Sequence, residues 1–161
     1  MIDKKWKRMT GEHVTDFKAV LKADIKRNIE MYGDVKFYVG VDSQVVNDKI
    51  QYVSAIAMRV PRHGACAYYF TEILKWKKHS YREKLWTEVY KAVDLAKWLD
   101  DFLVDYDLCV EEIHADLNPS EKHLSNSVMA GCLGYIKSSG YTGVCKPNAW
   151  CASNVANRKS K

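Results

Sequence analysis

Hydrophobic residues recur along this chain in two rhythms, and each rhythm predicts one kind of secondary structure. Five short runs rich in β-branched and aromatic residues predict strands, over residues 35–42, 50–60, 65–71, 108–116 and 141–146. Four stretches with an apolar residue at every third or fourth position predict helices, over residues 15–31, 80–103, 124–137 and 148–157. The predicted order is a helix followed by β-β-β-α-β-α-β-α.

This order of elements predicts an α/β fold with one mixed sheet. Short turns join the first three strands into an antiparallel meander, and two right-handed crossovers carry the chain to strands four and five. Pairing of strand four with strand one gives a five-stranded sheet in the order 3-2-1-4-5, flanked by helices. At 161 residues the chain suits one domain, with an N-terminal helical extension over residues 1–33 and a core over residues 34–158.

Two of the predicted strands end in an acidic residue. The first, VKFYVGVDSQ, delivers Asp42 where its apolar run stops, and the fourth, LCVEEIHAD, delivers Asp116. Because strands one and four are parallel neighbours in the predicted sheet, these carboxylates would lie side by side, about 4.8 Å apart. Carboxylates that close repel one another unless a proton or a cation lies between them, which favours a hard metal ion such as Mg²⁺. A strand that ends in an Asx-type turn is the alternative for Asp42.

Glu88 is a third acid with an unusual position. On a wheel turning about 100° per residue it lies about 60° from Leu85, the centre of the apolar stripe of its helix. Glu83 lies about 160° away, on the solvent side, and forms a capping box with Ser80. An acid embedded in an apolar face is uncommon unless it is paired or binds a metal. Glu88 is therefore either a metal ligand or one half of a structural ion pair with a lysine or arginine.

Composition and charge set the broad class and the expected partner. The chain is 47% apolar and 28% charged and has no apolar run long enough to cross a bilayer, and its first residues lack an apolar stretch, so no signal peptide is expected. Five cysteines without a CxxC pair fit reduced thiols, so a cytoplasmic location is expected. The net charge is +5, and no acid follows Glu121. A one-signed last quarter favours nucleic acid as the partner, with a solvated basic tail as the alternative.

Several basic and polar residues are candidates for contacts to nucleic acid. The segment KWKKH before the long helix suits phosphate contact and base stacking, and a solvated loop is the alternative. His114 could orient Asp116 or a water, or be an ordinary core residue. Ser125, Asn126 and Ser127 open the following helix and either cap it or bind a phosphate. The predicted substrate-binding residues are Lys75, Lys77, Lys78, His114, Asn126, Lys146 and Arg158.

The order and spacing of these motifs resemble the ribonuclease H-like superfamily. An acid ends the first strand, a helix with E-x-x-x-A follows three strands, and a second acid ends the fourth strand. More closely, VGVDSQ, REKLWTE, HADLN with a following SNS, and KPNAWCASNVANR are similar to a family of uncharacterised bacterial and phage proteins placed in that superfamily. The resemblance covers residues 35–158 and implies the fold predicted above.

The resemblance also implies a set of metal ligands. Asp42, Glu88 and Asp116 would be the catalytic acids and would bind Mg²⁺ or Mn²⁺, as two ions. Members of the superfamily usually add an acid or a histidine on the last helix, where this chain offers Asn154 and Asn157. An asparagine is a neutral oxygen donor and a weaker ligand than a carboxylate.

The function implied by the resemblance is a divalent-metal-dependent nuclease that hydrolyses phosphodiester bonds by a two-metal mechanism. A catalytically weak or inactive nucleic-acid-binding module on the same fold is the alternative, because the last helix carries no acid. A protein-interaction domain that uses a tryptophan-rich surface is a third hypothesis. RNA, DNA, a hybrid and a branched junction all stay open as substrates. A homodimer also stays open, since junction-resolving members of the superfamily work as dimers.

Overall fold

A computed structural model of the chain describes residues 4–76, 81–117 and 126–156. Its strands are β1 (Lys7–Arg8), β2 (Lys36–Val46), β3 (Lys49–Val60), β4 (Gly64–Lys75), β5 (Val110–Ala115) and β6 (Gly143–Val144). Its helices are α1 (Phe17–Tyr32), α2 (Tyr81–Leu103) and α3 (Asn126–Ser138), with a 3₁₀ turn at Val104–Tyr106 and a π-helical segment at Cys151–Ala156. The predicted α/β class with a mixed sheet and flanking helices is confirmed.

The sheet has six strands in the described residues, one more than predicted, so its full order differs from the predicted one. The order is β1-β4-β3-β2-β5-β6, with β2, β3 and β4 antiparallel and β5 parallel to both β2 and β6. The added strand β1 pairs with the outer edge of β4, opposite Tyr68 and Tyr69. A strand of two basic residues has no hydrophobic period to detect. The N-terminal extension is therefore a strand and a helix, and not a helix alone.

The N-terminal extension is tied to the sheet through a buried carboxylate. Asp24 of α1 is 2% exposed and accepts hydrogen bonds from the hydroxyl of Tyr68 on β4 and from the guanidinium groups of Arg8 and Arg27. Burial alone would raise the pKa of Asp24, but the hydrogen bonds from Tyr68 and Arg8 outweigh it and hold the pKa below its usual value. This cluster joins β1, α1 and β4 into one unit.

The strands of the meander are longer than their apolar runs. β2 continues four residues beyond Asp42, to Val46, and pairs with β3 along its whole length. Asn47 then turns the chain with a positive φ of 57°. The prediction that the first strand stops at Asp42 was wrong, because a hairpin keeps its backbone hydrogen bonds after the buried side chains have ended. Asp42 therefore lies inside a strand.

Two hydrophobic clusters cover the two faces of the sheet. Side chains of successive strand residues alternate between the faces. The helical face carries Val41 and packs against α1 and α2. The opposite face carries Tyr38 and Val53 and packs against the π-helical segment. We call it the C-terminal face, because a C-terminal segment of the chain covers it. β2, which carries Asp42, is therefore covered by helices on one face and by the π-helical segment on the other.

Candidate functional site

Parallel pairing of β2 with β5 brings two of the predicted acids to the same end of the β2–β5 ladder. Gly40 is in register with His114, and Val41 with Ala115, so Asp42 and Asp116 are the next residues of two neighbouring strands. Asp42 is 8% exposed, and the side chain of Asp116 is 15% exposed. This is the adjacency expected from the parallel arrangement of the two strands.

Glu88 approaches this end of the sheet from α2 and is almost fully buried. Ser43 donates its hydroxyl to Glu88 Oε1 at 2.6 Å, and Lys84 Nζ lies 3.1 Å from the same oxygen. The pKa of Glu88 is raised to about 7: burial is the largest cause and the charge of Asp42 adds to it, whereas Lys84 and Ser43 act in the opposite direction. The ion pair considered as the alternative for Glu88 is thus present, with Lys84 as its partner.

Asp116 is also paired with a lysine. Lys146 Nζ lies 2.6 Å from Asp116 Oδ1, and the Lys146 backbone N–H donates to the carbonyl oxygen of Leu117 at 3.1 Å. Lys146 was expected to contact substrate, and in the structure its side chain holds the acid. Glu88 and Asp116 therefore each have the ammonium group of a lysine as counter-ion.

A small cavity lies between Glu88 and Asp116. Its volume is about 10 Å³, close to the minimum that holds one water molecule. The rest of its wall is formed by His114 and by aliphatic side chains, among them Val41 and Val89. Glu88 and Asp116 therefore face a space of water size whose other walls are aliphatic apart from His114.

His114 is a packing residue in this structure. It is fully buried, its Nδ1 accepts the backbone N–H of Cys151 at 2.9 Å, and its Nε2 lies 2.9 Å from Glu112 Oε2. Burial lowers the pKa of His114, although Glu112 opposes this effect. With Nδ1 accepting, Nε2 carries the proton and donates it to Glu112. The substrate contact expected of His114 is therefore replaced by a clamp on the π-helical segment, because neither ring nitrogen faces solvent.

The π-helical segment lies directly against β2. A Cβ atom added at Gly40 would lie 2.5 Å from the backbone nitrogen of Ala152, so only glycine permits this approach. Asn154 does not reach the acids, because it lines a separate depression of about 430 Å³ with Arg8 and Trp150. Asn157, the other candidate for a fourth ligand, lies outside the described residues.

The remaining predicted contacts are distributed as follows. Lys75 is exposed at the end of β4. Asn126 begins α3, and its side chain falls outside the described part of the chain. Lys77, Lys78 and Arg158 also lie outside it.

Ser43 and Lys84 are the two site residues that the sequence reasoning missed. Lys84 precedes Glu88 by one helical turn, so the i, i+4 spacing of opposite charges was the available signal. Ser43 follows Asp42, and the alternation of β2 puts it on the helical face, where α2 lies. Both residues contact Glu88, the acid whose position the helical wheel had marked.

The resemblance implies a metal ion at this site. The side chains of the three acids are suitable metal ligands, but their positions in the structure do not form a complete site. Three carboxylates at one sheet end are the oxygen donors that Mg²⁺ and Mn²⁺ prefer. Within residues 4–76, 81–117 and 126–156, however, no three Asp, Glu, His or Cys side chains form a group that could hold a metal ion. Lys84 and Lys146 supply the positive charge there. The three acids are therefore ligands of the type that a divalent cation needs. The ammonium groups of Lys84 and Lys146 would compete with such a cation for Glu88 and Asp116.

Comparisons with known proteins identify relatives across most of the chain. A family model described as "Ribonuclease H-like" matches residues 19–161. The "Uncharacterized protein YkuK" of Bacillus subtilis (strain 168) is 29% identical over 135 residues, which cover 76% of this chain and 77% of that protein. No solved structure matches the chain. In the described part of the chain, no helix has the length and apolar character needed to span a membrane.

Proposed function

Because this chain belongs to the ribonuclease H-like family, we propose that it is a Mg²⁺- or Mn²⁺-dependent nuclease. The observation that supports this function best is that Asp42 and Asp116 lie at neighbouring positions at the end of the β2–β5 pairing, with Glu88 of α2 nearby, although the three do not form a closed ligand group in the described residues. Asp42 and Asp116 follow paired positions of two parallel strands, and buried Glu88 lies within electrostatic range of Asp42. The 10 Å³ cavity between Glu88 and Asp116 adds a water-sized space at the same place.

The three acids and one asparagine would be the metal ligands. Asp42, Glu88 and Asp116 would hold the ions, and Asn157 would be a weaker neutral ligand. When bound, such ions activate a water molecule and stabilise the leaving 3′ oxygen of a phosphodiester.

Other residues of the chain would prepare the acids for this role. The hydrogen bond from Ser43 fixes the orientation of Glu88, and Lys84 favours its charged form. Lys146 neutralises Asp116 in this structure, and its ammonium group would contact a substrate phosphate beside that acid. His114 and Gly40 hold the π-helical segment against β2, which fixes the strand that carries Asp42.

A nucleic-acid-binding module without catalytic activity is the second candidate. The observation that favours it is the pairing of Glu88 and Asp116 with lysines at 3.1 Å and 2.6 Å. An acid neutralised by an ammonium group does not need a metal ion for its stability. Salt-sensitive binding of nucleic acid without cleavage would support this candidate.

Cleavage assays with purified protein separate the two candidates. Labelled single-stranded, duplex, hybrid and branched oligonucleotides are incubated with Mg²⁺, with Mn²⁺ or with EDTA. We expect divalent-dependent cleavage that falls at least about 100-fold in Asp42→Asn and in Asp116→Asn. Glu111→Gln is the matched control, because Glu111 is an exposed acid on β5 that pairs with Lys36 at 3.9 Å. Cleavage that survives in Asp42→Asn would contradict the proposed site.

A further inference from the structure

Beyond the acids, the C-terminal face of the sheet continues into a surface that the π-helical segment does not cover. Alternation along β2 puts Asp42, Gln44 and Val46 on this face, further along the strand than Gly40, which the π-helical segment covers. Each of these residues has a direct cross-strand partner on β3, which in turn has one on β4, so the three partners form a row across the sheet. The outer two rows are Gln44–Gln51–Ile73 and Val46–Lys49–Lys75. We call these six residues the platform.

The outermost row has an unusual charge arrangement. Lys49 and Lys75 are direct cross-strand partners, and both are exposed. Like charges directly opposite each other destabilise a sheet. Among the described residues, neither lysine has an ion-pair partner. A bound anion between the two ammonium groups would remove this repulsion.

The platform is also concave and partly apolar. A depression of about 180 Å³ is lined by Val46, Lys49, Gln51 and Ile73, together with the turn residues Asn47 and Asp48. Val46 is 51% exposed and Ile73 is 60% exposed, high values for aliphatic side chains. Aliphatic contacts beside an amide and two cations suit a ligand that has a flat apolar part, hydrogen-bonding edges and a negative charge. A nucleotide has all three.

From these observations we infer that the platform binds a single strand of nucleic acid and leads it to Asp42. The flat faces of the bases are accessible in a single strand and are stacked inside a duplex, so the exposed aliphatic side chains of the platform favour a single strand. The lysine row lies four residues from the row of Asp42, or about 13 Å along the strands. This inference rests on the proposed function, because it assigns the substrate class and the approach path of the same site.

The test measures binding in EDTA, so that cleavage does not contribute. Fluorescein-labelled dT12, rU12 and a 12-base-pair DNA duplex are titrated with the wild type and with Lys49→Gln/Lys75→Gln. We expect the variant to bind the single strands roughly tenfold more weakly, with a salt slope smaller by about 1.4, the value for two lost phosphate contacts. Asp48→Asn, which removes the acid at the rim of the depression, is expected to bind more tightly than the wild type.

Lys22→Gln/Lys26→Gln is the matched control. It removes the same charge from exposed positions of α1, which packs on the opposite face of the sheet. The inference is overturned if this control weakens binding as much as the platform variant, if the duplex binds as tightly as the single strands, or if the wild type binds no probe. These readouts are independent of metal-dependent cleavage by wild type and Asp42→Asn, so the platform and the nuclease can fail separately.

Discussion

Glu88 is an acid that the fold has moved almost entirely out of water. It is 4% exposed and contacts Ser43 and Lys84. Its pKa of about 7 lies well above the usual 4.5, because burial penalises the charged form more than its partners favour it. A metal ion bound beside Glu88 would reverse that balance by favouring the carboxylate.

The raised pKa of Glu88 predicts a pH dependence of stability. The native state holds this proton more tightly than the unfolded chain, so the contribution of Glu88 is full below about pH 4.5 and is lost as pH rises through about 7. In EDTA, the free energy of unfolding of the wild type should therefore fall relative to that of Glu88→Gln across this interval, by up to about 3 kcal/mol.

Urea unfolding at several pH values between 4.5 and 8 measures this difference. Glu111→Gln serves as the control, because it removes an exposed acid, and its stability should follow that of the wild type at every pH. Parallel curves for the wild type and Glu88→Gln would show that Glu88 titrates normally in the native state.

At the scale of elements, the π-helical segment depends on one residue of β2. An added Cβ atom at Gly40 meets backbone atoms of Cys151 and Ala152 at 2.5–2.9 Å, and backbone cannot rotate away as a side chain can. The contact fixes the C-terminal segment over the strand that carries Asp42. The same segment is held from β5 by His114.

Gly40→Ala is therefore expected to destabilise the protein by about 1–3 kcal/mol, the cost of overpacking a closed contact. The matched variant is Gly134→Ala in α3, where nothing lies within 4 Å of the added atom. Since alanine is the better helix former, we expect this change to stabilise the protein by about 0.5–1 kcal/mol. Urea denaturation of both variants provides the comparison. Equal stability of the two variants would mean that the segment does not lie against Gly40 in solution.

At the scale of the whole molecule, the sequence predicted the elements that have a strong hydrophobic period. The meander, the crossover helix and the parallel pairing of the strands that carry Asp42 and Asp116 follow from such patterns. The two-residue strand β1 and the far end of the β2–β3 hairpin do not, because neither has a hydrophobic period in its sequence. The neighbours of the other five strands are those expected, although the full order gains β1 at one edge.

The candidate site was predictable to the same degree. Strand ends and a helical wheel single out acids, since both depend on local periodicity. The lysine partner of Asp116 depends on where a distant segment returns to the sheet, and Lys146 lies thirty positions further along the chain. Its long side chain also allows many positions, so a charge pattern alone could not assign it to Asp116.

The most direct test of the account is a calorimetric titration of Mg²⁺ and Mn²⁺, with and without dT12. We expect the wild type and Glu111→Gln to bind the ions, and Asp42→Asn/Asp116→Asn not to bind them. Lys146→Gln should bind them severalfold more tightly, because it removes the ammonium group 2.6 Å from Asp116. Identical titrations of the wild type and Asp42→Asn/Asp116→Asn, including no heat from either in the presence of dT12, would contradict a carboxylate metal site at this end of the sheet.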